Sequence, residues 1–247
     1  MMRFYRFLRC RPSASLASNA RHLRDRTATR DIMTNTDVGP MPTPADPALI
    51  TQFSSAATAV ISDNLARLPG AVGLRPFHRG GTMVGTALTV RTAAGDNLAI
   101  HQALELVRPG DVIVVDGGGD ISRALVGEIM SSIAASRGAA GFVIDGAVRD
   151  AGVLAKGDFP CFARAAIHRG PYKNGPGAIN VPVTIGGMVV SPGDIMVGDE
   201  DGVVAFPQGI AAELLSAVRA QEAREAEILK SIREGRYTGA YAKPSAK

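Results

Sequence analysis

The chain has 247 residues, 46% of them hydrophobic, with no apolar run long enough to cross a bilayer, which is the composition of a soluble globular protein built around one main domain. Its two cysteines, Cys10 and Cys161, are too few for a disulfide framework or a cysteine-held metal, and they fit a reducing compartment. The net charge of +4 is unevenly placed: residues 1–32 carry eight arginines against Asp25 and Asp31, a surplus of +6, while the other 19 basic and 21 acidic residues leave the body at −2 and offer no surplus for nucleic acid.

The leader "MMRFYRFLRCRPSASLASNARHLRDR" is rich in Arg, Ser and Ala and poor in acids. That composition fits an organellar transit peptide, and it equally fits an upstream start codon with Met33 as the true start. A cytoplasmic protein is expected in the second case and an organellar one in the first. "TNTDVGPMPTPADP" follows without periodicity, so residues 1–45 are expected to lie outside the fold, as a basic disordered leader. The main folded domain is then expected over 46–207, and a helix with a tail over 208–247.

Within the body, "PALITQFSSAATAVISDNLARL" has helical spacing and stops at Pro69-Gly70. "GTMVGTALTVRT" is strand-like with a glycine break, "DNLAIHQALELV" is helical, and "DVIVVD" after Pro109-Gly110 has the continuous apolar character of a buried strand. A helix over 124–137 and the strand "GFVIDG" complete a run of β-α units. Beyond Asp150 the pattern changes to short strands, "FPCFARAAIH", "VPVTIGGMVV", "DIMVG" and "GVVAF", separated by Gly, Pro and Asp turns. One long charged helix from Pro207 to Gly235 ends the chain, with Leu214, Val218, Ile228 and Ile232 on repeating faces. The fold class is mixed α/β, with strands expected in more than one layer.

Common catalytic motifs are missing. There is no Walker loop, nucleophile elbow or zincin helix, and "DGGGDIS" lacks dinucleotide spacing. The histidines 22, 78, 101 and 168 are dispersed, and His101 sits on an apolar helix. The informative stretch is "GEIMSSIAASRGAAGFVIDGAVRD", residues 127–150. Gly127 before Glu128, Ile129 and Met130 suits close approach of a ligand, and free amides at a helix start bind anions. Arg149 emerges at a strand end, where its fork can grip a carboxylate or enolate oxygen. Asp150 is a hard oxygen ligand of the kind that holds Mg²⁺ together with water.

Glu128, twenty residues, then Arg149-Asp150 resembles the signature of the class II pyruvate aldolases that are similar to the regulator of ribonuclease activity A. These are the 4-hydroxy-4-methyl-2-oxoglutarate aldolases, which also decarboxylate oxaloacetate. The resemblance runs from about Ala59 to Pro207 through "DNLAIHQALELVRPGDVIVVDGGG", the stretch just quoted, "FPCFARA" and "PGDIMVGDEDGVVAFP". It implies a swivelling β/β/α-type fold assembled as homotrimers or homohexamers. It also implies Asp150 as the direct ligand of Mg²⁺ or Mn²⁺, Glu128 acting on the ion through water, and Arg149 on the pyruvyl group of a 2-oxo acid. The substrate-binding set is then Gly127, Glu128, Ile129, Met130 and Arg149, with the amides of Ile129 and Met130 taking the carboxylate. The cluster Asp199, Glu200 and Asp201 matches the block from which a neighbouring subunit supplies a carboxylate; Glu200 is taken as the candidate, with Asp199 and Asp201 left open beside it. No nucleic-acid or membrane partner is expected.

Three other readings stay open. A Schiff-base aldolase would need Lys156 in "VLAKGDF". A non-catalytic regulator of the ribonuclease-inhibitor type would keep the fold without needing the metal residues. A methyltransferase would need an S-adenosylmethionine loop, and none is present. The loop "HRGPYKNGPGAIN" offers His168, Arg169, Tyr172 and Asn174 as contacts to the remainder of the substrate.

Overall fold

The structure is a computed structural model and describes residues 36–67 and 69–239. The leader over 1–32 and Met33 lie outside the described residues. The first half contains β1 (Thr36–Val38), α1 (Pro47–Phe53), α2 (Thr58–Asp63), β2 (Arg75–Pro76), β3 (Met83–Thr92) and α3 (Leu98–Leu104). Next come β4 (Asp111–Asp116), β5 (Ala124–Val126), α4 (Glu128–Ser136), β6 (Gly141–Val148), α5 (Ala151–Leu154) and β7 (Cys161–Ala166). The remainder is β8 (Gly177–Ile179), β9 (Val183–Ile185), β10 (Met188–Val190), β11 (Ile195–Asp199), β12 (Gly202–Phe206) and α6 (Ala211–Arg233).

Strands β3, β4, β6 and β7 lie side by side and parallel, and they form the centre of the molecule. Their apolar runs are continuous because both faces are covered. On one face Leu88, Val90, Ile113, Val115 and Ile144 pack against Ile100 and Leu104 of α3 and Met130 and Ala134 of α4. On the other, Met83, Ala87, Val112, Val114, Val143 and Phe162 meet Val183, Ile185, Met188 and Val190 of the β9–β10 hairpin. That hairpin turns on Gly186-Gly187 at φ +54° and +86°, the left-handed pair that matches strand twist. The order is therefore helices, main sheet, second β layer, the expected β/β/α-type arrangement. A third core joins β11 and β12 to α1, α2 and α6, with the Phe53 and Phe206 rings 4.9 Å apart.

Several expectations are corrected. Residues 36–45 belong to the fold: β1 pairs in parallel with β8, and the buried Ala45 donates its N–H to Thr86 Oγ1 at 2.9 Å. The helix expected through 47–68 is two helices. Ser54 Oγ turns back onto Thr51 O at 2.6 Å, and Asp199 captures both the N–H (2.8 Å) and the hydroxyl (2.6 Å) of Thr58 to restart the chain. Gly85 does not break β3; a Cβ there would lie 2.4 Å from Gly110 O, so the glycine lets the loop before β4 press on the strand. Residues 124–126 are strand and not the first turn of a helix, because Ala124 and Val126 pair with Ala147 and Val148 on β6. The long helix begins at Ala211, and only its first turns are buried, through Ala211, Leu214, Leu215 and Val218; Ile228 and Ile232 are exposed. Among the described residues no helix is long and apolar enough to cross a membrane.

Candidate active site

The stretch 127–150 folds so that its two ends meet at the carboxyl ends of the parallel strands, where ligands bind in open α/β sheets. Short strand β5 continues the sheet beside the last residues of β6, and Arg149 N–H donates to Val126 O at 3.0 Å. Asp150 then adopts φ +57°, a left-handed conformation that Asp tolerates better than most residues. The sharp turn folds its carboxylate back onto α4, so that Asp150 Oδ2 accepts the Glu128 N–H at 3.0 Å. Arg149 Nε lies 3.7 Å from the same oxygen, and both side chains remain partly exposed. Gly127 makes this possible. A Cβ there would sit 2.5 Å from Asp150 Oδ2 and 2.7 Å from Arg149 Cγ.

Beside this junction lies a cavity of about 250 Å³ with Asn97, His101, Met130, Arg149, Pro171 and Lys173 in its wall. Asn97 Nδ2 donates to Leu125 O at 2.9 Å, which leaves the buried Oδ1 without a partner among the described residues. His101 Nε2 is likewise buried and unpartnered. Burial, and secondarily the positive charge of Lys173, push the His101 pKa below the ordinary histidine value, which favours the neutral ring. The amides of Ile129 and Met130, in the first turn of α4, make no hydrogen bond among the described residues. Arg149 separates this cavity from an outer groove lined by Asp150, Ala166 and His168.

The structure brings Gly127, Ile129, Met130, Arg149 and Asp150 together. Glu128 sits at the same junction through its backbone; it is exposed and lines a separate groove between α4 and α5 with Val153 and Phe159. The acidic turn lies elsewhere. Gly198 of β11 pairs with Met83 at the start of β3, which puts residues 199–201 at the opposite end of the parallel strands from Asp150. Asp199 is committed to Thr58, whereas Glu200 and Asp201 are exposed, Glu200 accepting a 3.3 Å bond from Gly81 N–H.

Sequence reasoning missed Asn97, Pro171 and Lys173 and placed His101 only on an apolar helix. Of the loop residues it offered, His168 reaches the outer groove, while Tyr172 holds Arg123 and the Asn174 N–H is bound by Asp96. The available signal was Asn97 and His101 one helical turn apart at the start of an otherwise apolar helix.

A profile of the RraA-like family, described as Aldolase/RraA, matches residues 58–205. The chain belongs to the RraA-like family. A relative from Halalkalibacterium halodurans, provisionally named a 4-hydroxy-4-methyl-2-oxoglutarate aldolase, is 40% identical over 188 residues, 74% of this chain and 90% of its own. Among solved structures, a protein of Pseudomonas syringae pv. tomato superposes with a TM-score of 0.69 at 32% identity, covering 78% of this chain and 96% of that one. The RNA-processing inhibitor RraA of Thermus has a TM-score of 0.56 at 33% identity over 62% of this chain and 93% of its own.

For an RraA-like protein the donor set is small. Among the described residues no three His, Cys, Asp or Glu side chains gather as a metal cage. Asp150 nevertheless keeps Oδ1 free of hydrogen bonds among those residues, in the outer groove on the far side of Arg149, while its Oδ2 holds the backbone N–H of Glu128. One or two carboxylates suit Mg²⁺ or Mn²⁺, which retain water and take further oxygens from a substrate.

Proposed function

We propose that this RraA-like chain is a divalent-metal-dependent lyase that cleaves 4-hydroxy-2-oxo acids of the 4-hydroxy-4-methyl-2-oxoglutarate type to pyruvate, and that decarboxylates oxaloacetate in the same site. The observation that carries the reading is the junction of Arg149, Asp150 and the free first-turn amides of α4 beside one cavity. Ile129 and Met130 N–H bind the substrate carboxylate, as unsatisfied helix-start donors do. Arg149 directs its guanidinium at the keto oxygen, where negative charge develops as the bond to C4 breaks. Asp150, with Glu128 acting through water, would hold Mg²⁺ or Mn²⁺. Such an ion supplies electron withdrawal from the 2-oxo group when bound. Retro-aldol cleavage and loss of CO₂ both leave pyruvate enolate, so one set of donors serves both.

Glu200 contributes a carboxylate from a neighbouring subunit of a homotrimer or homohexamer. Within one chain its turn lies at the opposite end of the parallel strands from Asp150, so such a contribution requires a neighbouring subunit. Lys156 is exposed, and so lacks the desolvation that activates a Schiff-base lysine.

The test is pyruvate release from oxaloacetate and from 4-hydroxy-4-methyl-2-oxoglutarate, with and without Mg²⁺. EDTA is expected to abolish turnover and Mg²⁺ or Mn²⁺ to restore it. A covalent adduct trapped by borohydride in the presence of EDTA would replace this reading with the Schiff-base one, and inertness toward every 2-oxo acid would favour the regulatory protein.

Gly127→Ala probes the geometry directly. The added methyl has no room beside Asp150 Oδ2 and Arg149 Cγ, so one of the two side chains must move. Displacement on the scale of an ångström at a reacting site lowers kcat/KM by about 10²-fold. The expected result is that loss with an unchanged circular dichroism spectrum, and wild-type kcat/KM would show that the crowding at Gly127 is immaterial.

A further inference from the structure

We infer that Asp96 is a positioning residue: it clamps the loop 170–175 against the cavity and thereby fixes the wall on which Arg149 rests. Asp96 is buried, with 3% of its surface exposed, and the hydrogen bonds to its carboxylate among the described residues all come from backbone amides. Oδ1 accepts Leu98 N–H at 2.9 Å, and Oδ2 accepts Asn174 N–H and Gly175 N–H, both at 2.8 Å. The backbone reinforces the junction, since Tyr172 N–H donates to Gly95 O at 2.8 Å and Asn97 N–H to Tyr172 O at 3.0 Å. One carboxylate thus joins the start of α3, which carries Asn97 and His101, to the loop that carries Gly170, Pro171 and Lys173. All of these residues line the cavity.

A second anchor holds the same loop from its other end. Arg123 donates to Gly170 O at 2.8 Å and to Tyr172 Oη at 2.7 Å, and its guanidinium carbon lies 4.0 Å from the centre of the Tyr172 ring. At the Arg123 anchor itself the loop meets Arg149: a Cβ on Gly170 would stand 3.4 Å from Arg149 Nη1, so the bare glycine backbone borders that nitrogen. A charged, buried acceptor holding three amides is a strong and directional restraint, because charge-assisted hydrogen bonds exceed neutral ones and a buried carboxylate left unpaired is costly. The loop has no comparable apolar anchor, since Tyr172, Lys173 and Asn174 are exposed. Its position therefore depends on polar contacts, those of Asp96 and Arg123 together with the backbone bonds of Tyr172.

The catalytic part of this inference rests on the lyase reading; the clamp itself does not. The test compares Asp96→Asn and Arg123→Met with the wild-type full chain. Asn keeps one acceptor oxygen, so the fold is retained while Oδ1 or Oδ2 is replaced by a donor that faces an N–H. Hydrogen exchange of the peptide spanning 170–176 is expected to accelerate by about tenfold in each variant, with β4 and β6 unchanged. Because Arg149 acts on charge that develops in the transition state, kcat for oxaloacetate is expected to fall about tenfold with a smaller change in KM, and the Mg²⁺ concentration for half-maximal activity is expected to stay the same, because Asp150 is untouched. Asp96→Glu, which restores both oxygens, should recover part of the exchange protection. Unchanged exchange in Asp96→Asn would overturn the clamp. Faster exchange with unchanged kcat would overturn its role in positioning Arg149. If the wild-type protein releases no pyruvate from any 2-oxo acid, the lyase reading fails, and the exchange comparison alone decides the clamp.

Discussion

Arg149→Lys is expected to lower kcat by about 10²-fold, roughly 3 kcal/mol of transition-state stabilisation, while leaving the metal requirement unchanged. Lysine keeps the positive charge but loses the planar fork. Arg149 lies between the inner cavity and the outer groove, with Nε 3.7 Å from Asp150 Oδ2, so a fork can face Asp150 and a substrate oxygen together. An ammonium on a flexible stem presents one point charge and is held by neither. Steady-state pyruvate release across a Mg²⁺ titration separates the contributions: the plateau should fall while the midpoint stays in place. A wild-type plateau with every substrate turned over would make Arg149 a surface residue.

Asp150→Asn is expected to fail in the complementary way. Asn tolerates the left-handed conformation at φ +57° and can still accept the Glu128 N–H through its amide oxygen, so the turn is preserved and only the charge is removed. Loss of an outer partner of a metal ligand already costs about 10- to 100-fold in affinity, so loss of the ligand charge itself should shift the Mg²⁺ midpoint by at least about 10²-fold. Excess Mg²⁺ should then recover part of the turnover. The same midpoint as wild type, measured by activity or by Mn²⁺ binding, would remove Asp150 from the metal site. The two variants thus test separate statements about adjacent residues.

Much of the candidate junction was legible because its parts are local in sequence. Gly127 to Met130 and Arg149-Asp150 flank one helix and one strand of a β-α-β unit, and a parallel neighbour returns to the same end of the sheet, so their meeting follows from topology. The strands "DVIVVD" and "GFVIDG" were legible for the same reason, since strands covered on both faces are apolar throughout. The boundary at residue 124 was not. Ala124, Leu125 and Val126 are apolar in either state, and what makes them a strand is pairing with Ala147 and Val148 about twenty residues later. Similarly, β1 and β8 have three residues each, too few to show a period, and they become strands by pairing with one another and with β3.

By itself, then, the sequence determined the alternation of β-α units followed by short strands, and the Glu128, Arg149 and Asp150 signature, because these depend on residue type and short spacing. Only the tertiary structure decided that Asn97 and His101 share a cavity with Lys173, that Asp96 binds a loop nearly eighty residues away, and that the 199–201 turn lies far from Asp150 within one chain. Those facts depend on contacts between segments remote in sequence. Burial there is set by what packs opposite, and a buried carboxylate satisfied by backbone amides leaves no side-chain pattern for its partners.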